Sequence, residues 1–242
     1  MARFNQKKFN KFILENGIIG FFEKPIKLSS GRISHWYVNW RNVTNSVELI
    51  DELADFIISF VQDKNLECDC FYGVPEAATK IALILQYKWA TQKKKKNNKD
   101  YVLPMGRGKP KDHGEVKDRF FIGAPKGKTI LLEDVATTGA SLIKNIELLK
   151  NLKDVKIIAA IVLTDRMEVN ENGKSVRELV NSFGVDYYSL SNASELLPMA
   201  YAKFAPRKEI AQAIEKEFET YGVEKIKLLK KNFGKIFKLL FL

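Results

Sequence analysis

Short apolar segments of two kinds alternate along the chain. Uninterrupted apolar runs are typical of buried strands, and the longer segments between them repeat their apolar residues at helical spacing. The predicted strands lie at 71–74, 101–105, 129–132, 155–163 and 186–190. The predicted helices lie at 4–16, 47–64, 77–87, 141–152 and 175–183. This alternation favours an α/β fold with a central, mostly parallel sheet and helices on both of its faces.

Three segments fall outside this alternation. Residues 25–43 are predicted to be extended around a turn at 29–31, and Asn45 with Glu48 is predicted to cap the helix that follows. Long polar loops inside a compact domain are usually functional or disordered. The two predicted loops of this kind lie at 91–100 and 106–127.

The chain length predicts one core with appendages. We expect a small N-terminal hood over residues 1–45, a core over 46–205 and a basic helical extension over 206–242. The extension is predicted to be an amphipathic helix that either packs on its own domain or dimer partner, or contacts a membrane surface or an acidic partner. The apolar residues of this predicted helix are Ile226, Leu229, Phe233, Phe237 and Leu240.

Composition adds little about the activity. The net charge of +11 is compatible with nucleic acid, a membrane surface or small polyanionic substrates, but many lysines are concentrated at 93–96 and after Tyr221. Cys68 and Cys70 are the two cysteines, and we expect idle thiols in a reducing compartment. The sequence shows no secretory signal and no apolar run of membrane-spanning length, so we expect a cytoplasmic protein.

The strongest candidate site is the segment from Glu133 to Ser141, in which a strand is followed by two carboxylates, a turn of small residues and a helix. Backbone N–H groups and hydroxyls at a helix N-terminus bind a phosphate monoester. Glu133 and Asp134 could hold a ribose diol and stabilise positive charge that develops on the sugar. The complete segment consists of Glu133, Asp134, Val135, Ala136, Thr137, Thr138, Gly139, Ala140 and Ser141.

A second candidate site is the cationic loop from Arg107 to Glu115. Such a loop could close over a pyrophosphate and exclude water. Arg107 and Lys111 would offset the charge of the leaving group, and His113 could add a hydrogen bond. The alternative is a solvated basic loop without a ligand.

These two segments resemble a known family. Residues 133–141 look like the phosphoribosyl pyrophosphate motif of type I phosphoribosyltransferases, and Lys111–Glu115, preceded by Arg107, is similar to the mobile catalytic loop of orotate phosphoribosyltransferases. The resemblance implies that residues 133–141 contact the ribose and the 5-phosphate. It also implies a homodimer in which Arg107, Lys111, His113 and the supporting Glu115 reach the neighbouring subunit's site.

Further segments carry weaker parts of the resemblance. Residues 28–34 are similar to a base-pocket segment, and 73–79 look like the pyrophosphate loop. The resemblance places Arg166 at the carboxylate of orotate and the Thr137 backbone at a ring oxygen. Trp36 and Tyr37 could equally stack on the base or pack in a core or interface. The supporting residues in these segments are Ser30, Gly31, Arg32 and Pro75.

The implied activity is transfer of a phosphoribosyl group to orotate, with Mg²⁺ held mainly through the substrate and without direct protein ligands. Ser29, Ala77 and Gly108 depart from the family pattern, because each stands where lysine is common. They leave open another type I phosphoribosyltransferase that uses a purine or uracil. A non-catalytic RNA-binding regulator on the same fold is a second alternative, although the catalytic loop argues against it and we expect no nucleic-acid partner.

Overall fold

The computed structural model describes residues 3–97 and 100–229. The helices are α1 (Gln6–Glu15), α2 (Arg41–Thr44), α3 (Val47–Asp63), α4 (Ala77–Asn97), α5 (Val116–Phe120), α6 (Ala140–Lys150), α7 (Val176–Ser182), α8 (Ala193–Phe204) and α9 (Lys208–Tyr221). The strands are β1 (Ile19–Lys27), β2 (Ile33–Val38), β3 (Cys70–Gly73), β4 (Met105–Gly106), β5 (Phe121–Ile122), β6 (Gly127–Ala136), β7 (Val155–Asp165) and β8 (Asp186–Asn192).

A four-stranded parallel sheet forms the centre, in the order β3-β6-β7-β8. Successive side chains of a strand point to opposite faces. Accordingly, Ile130 and Leu132 of β6 belong to a core with α3, α4 and α8, whereas Leu131 packs with α6 and α7. The predicted α/β class, with helices on both faces of a parallel sheet, is confirmed.

The predicted extended segment near the N-terminus is an antiparallel hairpin of β1 and β2. Leu28 and Arg32 close its turn, where the Leu28 N–H donates to the Arg32 carbonyl at 2.8 Å. Gly31 lies in this turn with φ of 84°, a left-handed conformation that glycine adopts at low cost. The hairpin therefore holds the 28–34 segment near the carboxyl ends of the central strands.

Two local predictions are wrong. The N-cap of α3 is Ser46, whose hydroxyl accepts from the Leu49 N–H at 3.2 Å, so Asn45 does not cap this helix. Glu48 still contributes, because its carboxylate accepts from the Ser46 hydroxyl at 2.7 Å. Residues 91–97, predicted as loop, continue α4, which is consistent with the good helix propensity of lysine and glutamine.

The edge of the sheet also differs from prediction. The strand expected over 101–105 is reduced to the two residues of β4, which pair with β5. Helix α8 was not predicted, although its buried residues form part of the main core. Its sequence combines short apolar stretches with Pro198 and therefore lacks a clean helical periodicity.

Helix α9 is part of the packed core. Its residues Ile210, Ile214 and Phe218 are buried, and burial of each side chain of this size contributes roughly 2 kcal/mol. Residues 222–229 are not helical, so the predicted helix is wrong for Ile226 and Leu229. The remaining residues of that predicted helix, Phe233, Phe237 and Leu240, lie outside the described part of the chain. Within the described ranges, the structure contains no helix that is sufficiently long and apolar to cross a membrane.

Candidate active site

The candidate site lies at the carboxyl ends of the central strands, where ligands of parallel sheets bind. The parallel register brings Val135 of β6 level with Thr164 of β7, so the residues that follow each strand meet. The Arg166 N–H donates to the Ala136 carbonyl at 2.9 Å. These ends border a cleft of about 440 Å³, lined by Lys27, Leu28, Ser29, Tyr37, Val38, Arg41, Val74, Pro75, Glu76, Ala77, Glu133, Asp134, Val135, Thr137, Ser141 and Arg166.

A smaller pocket of about 140 Å³ lies beside this cleft and is formed mainly by residues 137–141, which we call the phosphate cradle. The cradle leads into α6, which begins at Ala140. Gly139 has φ of 79°, and a Cβ at this position would lie 3.1 Å from the Val176 side chain. Unpaired N–H groups and the helix dipole make such an N-terminus suitable for a phosphate. The turn residues Ser29 and Ser30 also line the pocket.

The two carboxylates at the end of β6 have unusual environments. Glu133 is 8% exposed, and its Oε2 has no hydrogen-bond partner among the described residues. Burial, with a further effect of the Asp134 charge, raises the pKa of Glu133 to about 8. Burial also raises the pKa of Asp134, while the charge of Arg41 opposes that shift. An unpaired buried carboxyl group is costly, so Glu133 is suited to a ligand that supplies its hydrogen bond.

The described side chains form no group of three or more His, Cys, Asp or Glu residues able to hold a metal ion. The donor set that faces the cleft at the end of β6 consists of two carboxylates, and carboxylate oxygens are ligands that Mg²⁺ prefers. This donor set suits Mg²⁺ whose remaining ligands come from phosphate and ribose oxygens.

Arg166 lines the cleft but is only 1% exposed, because several groups surround its guanidinium. Nε donates to Glu168 Oε1 at 2.7 Å, and Nη2 donates to Glu217 Oε1 at 2.8 Å. Nη2 also donates to the Ser34 hydroxyl at 3.2 Å, and Nη1 to the Trp36 carbonyl at 3.4 Å. The bidentate fork expected for a substrate carboxylate is therefore largely occupied by protein groups.

Arg32 supports the site from outside the cleft. Its Nη1 donates to Glu168 Oε2 at 2.6 Å, and its Nη2 donates to the Val169 carbonyl at 2.6 Å. The guanidinium also lies 4.2 Å from the centroid of the Tyr221 ring. Arg32 thereby joins the N-terminal hairpin to the chain that follows β7.

The structure distinguishes the two neighbouring aromatic residues. Trp36 is fully buried, packs in the main core and does not line the cleft. Tyr37 is half-buried and lines the cleft. The sequence left two alternatives for these rings, which were stacking on the base or packing in a core or interface. The core position applies to Trp36, whereas the ring of Tyr37 is available to a flat ligand.

The cationic loop does not reach the cleft within its own chain. Lys111, His113 and Glu115 are exposed and do not line the cleft. The Lys111 N–H donates to the Arg119 carbonyl at 3.0 Å, which closes the loop against α5. Arg107 lines a neighbouring cleft of about 570 Å³, which shares Pro75 and Glu76 with the first cleft. Its other lining residues are Thr79, Lys80, Leu83, Met105, Gly106, Gly108, Lys109 and Ile122.

Three charged residues that line the cleft were not identified as site residues from the sequence. Lys27 and Arg41 belong to none of the motifs, and Glu76 lies within the 73–79 motif but was given no role there; the fold brings all three to the cleft. A Cβ at Gly108 would overlap the Glu76 carboxylate in its present position, although this exposed side chain can move aside. Its position inside the pyrophosphate-like loop at 73–79 was the signal that could have drawn attention to Glu76.

The fold and the residues that line the cleft indicate the class of protein. The architecture is that of type I phosphoribosyltransferases, and it matches the crystal structure of an orotate phosphoribosyltransferase from Francisella tularensis with a TM-score of 0.63 and 22% identity, over 89% of this chain and 99% of that one. A UMP synthase from Leishmania donovani matches with a TM-score of 0.66 and 18% identity, over 89% of this chain and 42% of that one. No family model matches the chain.

The sequence relatives indicate which kind of type I phosphoribosyltransferase the chain resembles. An orotate phosphoribosyltransferase from Bordetella bronchiseptica is 27% identical over 230 residues, which cover 89% of this chain and 96% of the relative. The similarity extends over nearly the whole of both proteins and agrees with the motifs at 107–115 and 133–141. The resemblance to orotate phosphoribosyltransferases predicted from the sequence is thus confirmed.

Proposed function

We propose that this chain transfers the phosphoribosyl group of 5-phosphoribosyl 1-pyrophosphate to orotate, which yields orotidine 5′-monophosphate and pyrophosphate in pyrimidine biosynthesis. One observation carries the proposal. The cleft and the adjoining phosphate cradle bring together a helix N-terminus, two carboxylates and a buried guanidinium at the ends of neighbouring strands. A sugar phosphate and an anionic base are the ligands that such a set can recognise together.

The phosphate cradle at 137–141 would hold the 5-phosphate through the N-terminal N–H groups of α6. Glu133 and Asp134 would take the ribose hydroxyls, and a hydroxyl at Glu133 Oε2 would satisfy an oxygen that is otherwise unpartnered. As pyrophosphate departs, positive charge develops on the anomeric carbon. The nearby Asp134 carboxylate would stabilise this charge.

Orotate would lie with its carboxylate near Arg166 and a ring oxygen near the Thr137 backbone. Tyr37 supports this placement, because its half-buried ring lines the same cleft and could cover the flat base. The attacking ring nitrogen belongs to an electron-rich anion, so a strong general base is not required. Catalysis would consist mainly of positioning and charge stabilisation.

A second copy of the chain would supply the catalytic loop. Lys111 and His113 are exposed and do not line the cleft of their own chain, so that cleft lacks the cationic groups of the loop. Exposed apolar side chains support a dimer contact. Ile122 of β5 is 48% exposed and borders the same 570 Å³ cleft as Arg107, and Tyr87 of α4 is 68% exposed.

Mg²⁺ would be held mainly by pyrophosphate and ribose oxygens, and the carboxylates of Glu133 and Asp134 line the same cleft. When bound, the ion would neutralise charge on the leaving pyrophosphate. The thiols of Cys68 and Cys70 are free and buried, which supports the proposal that the protein acts in the reducing cytoplasm.

The proposal is tested by mixing the purified full chain with orotate, phosphoribosyl pyrophosphate and Mg²⁺ and by following the loss of orotate absorbance. Parallel reactions contain uracil, hypoxanthine, xanthine or adenine, with products separated by chromatography. We expect turnover of orotate alone. Turnover of a different base would retain the phosphate site and overturn the base assignment, and no turnover of any base would favour a binding protein on this fold.

A further inference from the structure

A buried network of four charged groups lies behind the base end of the cleft. Arg166 and Arg32 share the carboxylate of Glu168, with N–O distances of 2.7 and 2.6 Å. Arg166 also pairs with Glu217 of α9 at 2.8 Å, and the Ser34 hydroxyl donates to the other oxygen of Glu217 at 2.9 Å. Two positive and two negative charges are thus balanced within the protein.

The donors of Arg166 can be counted. A guanidinium has five N–H groups, one on Nε and two on each terminal nitrogen. Both N–H groups of Nη2 are taken, by Glu217 and Ser34, and Nε is taken by Glu168. Nη1 makes one long bond, to the Trp36 carbonyl at 3.4 Å. One Nη1 N–H therefore has no acceptor among the described residues.

We infer that Glu217 is a specificity-determining residue, because its carboxylate occupies donors and neutralises charge of Arg166 that a carboxylate-bearing base would otherwise use. This inference rests on the proposed function. An incoming base carboxylate meets a network whose charges are already balanced, so its attraction to Arg166 is reduced. A neutral base has no such carboxylate, and Glu217 does not affect its binding in this way.

The retention of Glu217 has a physical reason. A guanidinium that is 1% exposed and lacks part of its counter-charge would be strongly destabilising in the free protein. Glu217 removes that cost when no base is bound, at the expense of affinity for the anionic base. Helix α9 therefore influences both the stability of the network and the choice of base.

The test is Glu217→Gln in the full chain, which keeps the side-chain shape and removes the charge. We expect the KM for orotate to fall by roughly threefold or more, since an unfavourable charge near the bound carboxylate has been removed. The KM for phosphoribosyl pyrophosphate and the inhibition constant of uracil should remain unchanged, and the melting temperature should fall. Glu219→Gln is the matched control, because Glu219 lies on the same helix with a half-exposed side chain.

A folded Glu217→Gln variant with an unchanged or raised KM for orotate would overturn the inference, as would an equal change for orotate and uracil. If that variant does not fold, Glu217→Asp withdraws the charge by one methylene and must shift the orotate KM in the same direction by a smaller factor. An unchanged or raised KM in Glu217→Asp would again overturn it. Wild-type protein that turns over no orotate would refute the proposed function and this inference together, whereas active wild type with no selective shift refutes the inference alone.

Discussion

The guanidinium carbon of Arg166 lies 3.8 Å from the centroid of the Trp36 ring, and neither residue is more than 1% exposed. Cation–π attraction is strongest where both partners are desolvated, as they are here. Phe218 of α9 stacks on the same ring, with centroids 6.2 Å apart. Trp36 therefore connects α9 to the guanidinium of Arg166, which lines the cleft.

Replacement of Trp36 should consequently affect stability. We expect Trp36→Leu to lower the free energy of unfolding by about 3 kcal/mol, through the cavity and the lost contact with the guanidinium. Trp36→Phe keeps a ring in place and removes an indole N–H that has no partner among the described residues, so it should cost clearly less. Urea unfolding measures both values, and equal losses would show that the ring–cation contact contributes nothing.

The pKa of Glu133 predicts a pH-dependent stability difference. In the folded protein this pKa is raised to about 8, mainly by burial, so folding favours the protonated carboxyl group. The associated stability is fully present below the ordinary carboxyl pKa and decreases as the pH rises toward 8. Glu133→Gln lacks this dependence. We expect the stability of the variant relative to wild type to increase between pH 5 and 8, by up to about 4 kcal/mol.

Chemical denaturation at several pH values tests this expectation. The other buried carboxyl groups are common to both proteins and largely cancel in the difference. Glu147→Gln, an exposed carboxylate on α6, serves as the control and should follow the wild-type curve. Parallel curves for Glu133→Gln and wild type would mean that Glu133 is ionised in the folded protein at neutral pH.

Local periodicity predicted much of the fold correctly. Strands such as β7 and helices such as α3 and α6 have uninterrupted patterns, and their predicted bounds agree with the structure to within a few residues. The errors lie where tertiary contacts outweigh local pattern. Strand β4 keeps two residues because its pairing partner, β5, is equally short, and α8 carries an internal proline.

The site shows a similar division. Residues 133–141 are contiguous, so their sequence predicts both the phosphate cradle and its carboxylates. Arg166 was identified as a residue after a strand, but its partner Glu217 could not be predicted, because Glu217 is 51 positions away. The exposure of the cationic loop at 107–115 likewise depends on how the whole chain folds. Long-range contacts, which leave no local pattern, account for what the sequence did not indicate.

Glu76 introduces a negative charge where a highly anionic substrate is expected. It is exposed and lines both clefts. We expect Glu76→Gln to lower the KM for phosphoribosyl pyrophosphate by about threefold at low ionic strength, because repulsion is removed, and by less at high salt. Glu52→Gln, which replaces an exposed residue of α3, should leave the KM for phosphoribosyl pyrophosphate unchanged at both low and high salt. An effect of Glu76→Gln that does not vary with salt would exclude this electrostatic origin.

Lys111 should act in the site of the neighbouring subunit. Lys111 is exposed, so Lys111→Ala should leave the stability of the protein unchanged. The substitution should lower kcat by on the order of a hundredfold, because charge stabilisation is lost. Lys117→Ala is the control, because this exposed lysine of α5 pairs with Asp154. Asp134→Asn should also be nearly inactive.

If the loop is shared, a mixture of Lys111→Ala and Asp134→Asn chains forms hybrid dimers in which one site has both residues, so activity should recover after subunit exchange. Size-exclusion chromatography with light scattering establishes that the chains are dimers, and co-purification of one variant with a tagged copy of the other establishes that hybrids have formed. Recovery of activity is impossible if each loop serves its own cleft, since every site then lacks one of the two residues. A mixture that contains hybrid dimers but remains inactive would therefore refute sharing of the loop.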